Sequence, residues 1–118
     1  MINRVYYKIL SLEVKTMTLE LGGNIQLTGF RDLDPATLII VKKIVGNFVK
    51  HVSSTYSNFK GLNITLKSVH EREKSEKYEI HAHLNTDTTY TAYVVERNLM
   101  VGLDSVLKKV EKTMRPRD

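Results

Sequence analysis

The stretch Tyr78-Glu79-Ile80-His81-Ala82-His83-Leu84-Asn85-Thr86-Asp87-Thr88-Thr89-Tyr90-Thr91-Ala92-Tyr93-Val94-Val95 decides how the rest of the chain must be arranged. Tyr78, Ile80, Ala82 and Leu84 alternate with Glu79, His81, His83 and Asn85. Asn85-Thr86-Asp87 makes a turn. From Thr88 to Val95 the alternation resumes, with Tyr90, Ala92 and Val94 on one face and Thr91, Tyr93 and Val95 on the other. Successive side chains of a strand point to opposite faces, so this pattern predicts two strands, each with one apolar side. Strands joined by so short a turn pair antiparallel. Their apolar face must be covered by elements from elsewhere in the chain.

Upstream, Leu62, Ile64 and Leu66 alternate with Asn63, Thr65 and Lys67, a third half-buried strand. Between it and Tyr78 lies His70-Glu71-Arg72-Glu73-Lys74-Ser75-Glu76-Lys77, charged with both signs and without an apolar residue, which predicts an exposed loop.

The cover comes from two helices. Downstream, Asn98 to Met114 carries Leu99, Leu103, Val106, Leu107, Val110 and Met114 at a period near 3.6, an amphipathic helix with one buried stripe. Earlier, Leu33-Asp34-Pro35-Ala36 is a helix start. Asp34 can cap the free amides, and Pro35 suits the first turn because its missing N–H is not needed there. That helix is expected to run to about Ser54, with Leu38, Val41, Val45, Phe48 and Val52 stepping 3, 4, 3, 4 and Ile40, Ile44 and Val49 widening the stripe. Gly46 lies inside it, at a cost of about 1 kcal/mol against Ala, and close approach of another element would explain it. Ser53 to Gly61 reads as a polar connection.

Before the first helix, Asn24 to Phe30 alternates, with Ile25, Leu27 and Phe30 as inward candidates. Gly22-Gly23-Asn24 is a turn signal, so 17–30 can form a hairpin. Residues 1–21 are otherwise an N-terminal β extension or arm, and 22–118 a single domain. The expected architecture is α+β, a two-layer β-α-β-β-β-α sandwich with a mostly antiparallel sheet, two helices on one face and room for an extra N-terminal strand.

Composition limits the function classes. The 118 residues include 18 Lys and Arg against 13 Asp and Glu, a net charge of +5 and a pI near 9.5, which favours a polyanionic partner. There is no cysteine, so disulfides, thiolate metal sites and cysteine nucleophiles are excluded, in keeping with a reducing cytoplasm. No apolar run approaches the roughly 20 residues of a spanning helix. The expected location is cytoplasmic.

No set of residues reads as catalytic. His81 and His83 share a strand face, but no third ligand follows at a telling spacing, so no metal is expected. His51 is a single helical histidine. Glu71, Glu73 and Glu76 sit among Arg72, Lys74 and Lys77 in the charged segment, the setting of a solvated loop rather than an acid–base pair. Gly22-Gly23 lacks the strand, helix and lysine of a phosphate loop. The chain is expected to be neither an enzyme nor a cofactor carrier. Its basic residues point elsewhere. Lys42, Lys43 and Lys50 on the first helix, and Lys108, Lys109, Lys112, Arg115 and Arg117 at the end of the last, would form one positive surface if both helices pack on the same sheet face. Tyr90 and Tyr93 could add stacking to such a surface.

Three segments resemble the ribosome hibernation-promoting factor and ribosome-associated inhibitor A family. They are Asn24-Ile25 followed by Asp32-Leu33-Asp34-Pro35-Ala36; the pair of alternating strands from Leu62 to Leu84; and Asn98 to Lys112, which is similar to the family's last helix without a gap. The likeness covers about residues 24 to 115. It implies a fold like a double-stranded-RNA-binding domain and a non-enzymatic factor on the small ribosomal subunit. Such a factor binds rRNA between head and body, silences translation and stabilises idle ribosomes under stress. By position, rRNA contact falls on Lys42, Lys43, Lys50, Lys108, Lys109, Lys112 and Arg115. Residues 1–21 have no counterpart in the short bacterial members, and the resemblance to the short form carries the expectation that the dimerisation domain of the long members is missing. Two alternatives stand beside this expectation: a general duplex-RNA-binding module, and a scaffold that forms homodimers through its N-terminal β segment.

Overall fold

In a computed structural model, the described residues are 18–20, 24–72 and 75–115. Five strands and two helices follow in the order β1 (Thr18–Glu20), β2 (Ile25–Thr28), α1 (Pro35–Thr55), β3 (Gly61–Arg72), β4 (Ser75–Asn85), β5 (Thr89–Glu96) and α2 (Leu99–Met114). The strands form one sheet in sequence order, β1-β2-β3-β4-β5. All neighbours are antiparallel except β2 and β3, which run parallel with α1 as the crossover between them. Of the expected N-terminal extension, Thr18–Glu20 pairs antiparallel with β2, Leu19 opposite Leu27. The rest of 1–21 lies outside the described residues, apart from this strand.

The predicted alternation sets the faces. Leu84 pairs with Tyr90, Ala82 with Ala92 and Ile80 with Val94, and across β3 Leu62 pairs with Leu84 and Ile64 with Ala82. These inner rows meet Val41, Val45 and Val52 of α1 and Leu103, Val106, Leu107 and Val110 of α2 in a single core. Both helices therefore lie on one face of the sheet. Phe30 is fully buried just beyond β2. The chain turns there through Gly29, whose φ of +86° suits glycine, and an added Cβ would collide with the Leu66 carbonyl oxygen. Asp34 caps α1, accepting from the Thr37 hydroxyl and, at 3.4 Å, from the Thr37 N–H.

The structure departs from the sequence expectations at four places. Residues 70–72 and 75–77 are not an open loop, because β3 and β4 continue through them, with His70 opposite Glu76 and Arg72 opposite Ser75 around an irregularity. A ladder of backbone hydrogen bonds needs no apolar side chain, and charges of both signs tolerate cross-strand pairing. The connection after α1 is not wholly polar, since Tyr56 and Phe59 pack against the core. Ile40 is 48% exposed rather than part of the buried stripe. It lies about 100° around the helix from Val41, outside the face that Val41, Val45 and Val52 fill. Gly46 is not at a close approach, as a Cβ there would meet nothing within 4 Å.

Candidate nucleic-acid interface

Helix α2 is fixed before its lysines are placed. Asn98 caps it, its side-chain oxygen accepting from the Val101 N–H at 3.1 Å. Gly102 rests so close to the sheet that a Cβ would come within 2.8 Å of Ile80 Cδ1 and 2.9 Å of Glu96 Cβ. With Leu103, Val106, Leu107 and Val110 buried, Lys108, Lys109, Lys112 and Arg115 are left exposed. Lys108 Nζ lies 3.0 Å from Asp104 Oδ2, one turn back. A pair this exposed contributes little and opens readily for another anion. Lys112 stands in the last turn, where a cation also suits the helix dipole.

Lys109 has a different setting. Its Nζ donates to the Tyr93 carbonyl oxygen at 3.1 Å. Tyr93 belongs to β5, the edge strand, so the lysine lies across an outward-pointing carbonyl of the sheet edge. A lysine there blocks pairing by another strand. The sequence grouped Lys109 with the RNA-facing residues; the fold places it over the edge of the sheet.

On α1, Lys42, Lys43 and Lys50 are exposed and make no ion pair among the described residues. The two helices meet through a carboxylate. Glu111 Oε2 lies 2.8 Å from His51 Nε2 and accepts from the Tyr56 hydroxyl at 3.4 Å. The Glu111 side chain is 14% exposed. Neighbouring helical residues point about 100° apart, so Lys50 turns away from α2 beside His51, and Lys112 turns away from α1 beside Glu111. Lys43 and Lys50, seven residues apart, share one helix face. Lys108, Lys112 and Arg115 step by four and three and share another. The basic residues therefore stand as two ridges with the helix seam between them, where the sequence suggested one continuous surface.

The charge balance of this layer is lopsided. Helix α1 contains no acidic residue, and α2 contains Asp104 and Glu111. With Glu111 turned into the seam, Asp104 is the exposed carboxylate on the two helices, against Lys42, Lys43, Lys50, Lys108, Lys109, Lys112 and Arg115. This inward turn is a tertiary contact, and the spacing of residues along one helix carries no signal for it. Arg117 lies outside the described residues.

The remaining candidates are placed apart from these ridges. His81 and His83 are on the sheet face opposite the helical core, where Lys109 and Thr113 of α2 reach them around the β5 edge. Among the described residues, no group of three or more His, Asp or Glu is placed to hold a metal ion. No helix among them is long and apolar enough to cross a membrane. The side chains of Glu71 and Glu73 are outside the described set. No protein-family model matches the chain, and comparison with curated proteins finds no match.

Proposed function

We propose that this protein binds structured RNA through its helical layer, and that its target is the rRNA of the small ribosomal subunit, where it holds idle ribosomes silent. The observation that carries the polyanion part is the outer surface of the two helices: six exposed cations, Lys42, Lys43, Lys50, Lys108, Lys112 and Arg115, with Glu111 withdrawn into the seam and Asp104 left as the exposed acid. Cations carried on a helix that is itself locked to a sheet start from fixed backbone positions, so only their side chains are ordered on contacting phosphate oxygens. Two ridges separated by a seam suit two runs of phosphates, as flank a groove of A-form RNA. The choice of the ribosome rests on the sequence resemblance in residues 24 to 115. No catalytic step belongs to this reading. The protein acts by occupying its site.

Co-sedimentation with purified small subunits tests it. Pelleting at low salt that disappears at high salt is expected, because each phosphate contact releases counterions. A protein that stays in the supernatant at low salt overturns the reading. Naked duplex RNA that competes as well as ribosomes do would assign a general duplex-RNA module instead.

A further inference from the structure

The face of the sheet turned away from the helices holds a second constellation, unused by the helical ridges. The register sets two rows across it. Thr28, Thr65, His81 and Tyr93 lie side by side, and next to them Gln26, Asn63, His83 and Thr91. These eight positions, from β2 to β5, include no carboxylate. At the β5 end the rows open into a depression of about 470 Å³ lined by His81, His83, Thr91, Tyr93, Lys109 and Thr113, among others. The rings of His81 and Tyr93 are in tilted contact, their centroids 4.6 Å apart and their planes 40° to each other. Tyr93 is 46% exposed, so part of its ring is open to solvent. His81 Nε2 is shielded from solvent and has no hydrogen-bond partner among the described residues. Glu79, two positions before His81 on the same face of β4, holds its Oε1 3.6 Å from that nitrogen but does not line the depression.

We infer that this depression is a nucleotide-binding site, in which an unpaired base stacks on the Tyr93–His81 pair while Lys109 takes its phosphate. The chemistry of the lining selects this ligand. It offers an ammonium, two imidazoles, the Thr91 hydroxyl and a phenol, while the Thr113 hydroxyl already donates to the Val110 carbonyl oxygen and the Glu79 carboxylate stands beside His81 outside the depression. The partly exposed ring of Tyr93 lies beside these donors, and every base has a π-face to lay on it. Lys109 is tethered to a backbone carbonyl at 3.1 Å, a contact it exchanges for a phosphate oxygen. The hydroxyl, amide and imidazole groups of the two rows then continue across the sheet as a neutral, hydrogen-bonding track. A free mononucleotide and an unpaired residue of an RNA strand present the same base and phosphate. The site goes beyond the helical RNA surface and does not depend on the ribosome being the target.

The test is a titration of the full chain followed by the NMR signals of the histidine imidazoles, with AMP, ribose 5-phosphate and a short oligoadenylate as probes. AMP is expected to shift His81 and His83 while leaving His51, in the helix seam, unmoved. Ribose 5-phosphate, which lacks the base, is expected to bind at least about tenfold more weakly, the loss of a stacking contact. Tyr93→Ala should weaken AMP by a similar factor. Because Tyr93 lies on an open face, its thermal unfolding reports that the fold is kept. Lys109→Ala should weaken AMP and ribose 5-phosphate alike. An oligoadenylate that binds better than AMP identifies an RNA strand as the source; AMP binding as well or better identifies the free nucleotide, and either supports the site. Equal binding of AMP and ribose 5-phosphate overturns it in favour of a simple anion site, and unmoved His81 and His83 signals at millimolar AMP overturn it outright. Neither result bears on pelleting with small subunits, so the two proposals fail separately.

Discussion

Two glycines in helices occupy opposite environments. At Gly46 a Cβ meets nothing within 4 Å; at Gly102 it meets Ile80 Cδ1 at 2.8 Å and Glu96 Cβ at 2.9 Å. Gly46→Ala should therefore stabilise the protein by up to about 1 kcal/mol, the difference in helix propensity. Gly102→Ala should destabilise it by about 1–3 kcal/mol, because α2 must lift off β4 and β5 to admit a methyl group. Urea unfolding midpoints of the two variants should move in opposite directions. Asp34 gives a second prediction at this scale. The hydrogen bond from the Thr37 hydroxyl, with the Thr37 N–H adding to it, holds its carboxyl below the ordinary value. A carboxyl depressed in the folded state stabilises above its unfolded value, and the contribution is lost as pH falls through the folded one. Asp34→Ala should thus lower the thermal midpoint at neutral pH. The gap from the parent protein should narrow as pH drops below the usual carboxylate range. Asp34→Asn, which keeps a capping oxygen without the charge, should show a smaller gap at neutral pH. A pH-independent gap for Asp34→Ala would contradict the titrating cap.

At the scale of elements, the sequence was most legible where burial imposed a period. The alternation from Tyr78 to Val95 became β4 and β5 with its faces as expected, since one face had to enter the core. The Asp34-Pro35 start became the N-terminus of α1, since an unsatisfied helix end demands a cap. Where the backbone alone made the structure, the side chains left no trace. Val69, His70 and Arg72 pair with Lys77, Glu76 and Ser75 although the sequence there shows no apolar pattern, because the ladder extends beyond the core. Amide exchange checks this extension. Amides of Val69 to Arg72 and of Ser75 to Tyr78 that bond across the ladder should exchange more slowly than an open loop. They should still exchange faster than those of Ile64 and Ile80, which lie over the core, because protection follows the cost of local opening. Exchange at the rate of an unstructured chain would mean that β3 and β4 stop near Ser68 and Tyr78. The candidate surface was only half legible. Runs of lysine on a helix announce exposure, but the withdrawal of Glu111 to His51 and the tether of Lys109 to Tyr93 depend on which elements become neighbours.

At the scale of the molecule, the seam between the helices splits the basic residues into two ridges, and this makes the RNA reading divisible. If RNA lies across both, Lys43→Glu/Lys50→Glu and Lys108→Glu/Lys112→Glu should each weaken binding. Each should also lower the slope of log affinity against log salt by about two units, since each contacted phosphate contributes roughly 0.9. The four changes together should lower it by about four units. For four contacts, the parent protein should lose about a hundredfold in affinity between ~50 and ~200 mM salt. The fold should survive, because all four side chains are exposed. The α2 double change sets like charges at i,i+4 twice, between positions 104 and 108 and between 108 and 112, each at a cost of about 0.2–0.5 kcal/mol. The change at Lys112 also loses a favourable contact with the helix dipole, of similar size. Thermal unfolding of each variant should move by no more than these terms imply. A slope that responds to the α2 pair and ignores the α1 pair would mean that the RNA sits on one helix. The lysines of α1 would then serve only to keep its outer face in water, and the two-ridge geometry would have to be abandoned.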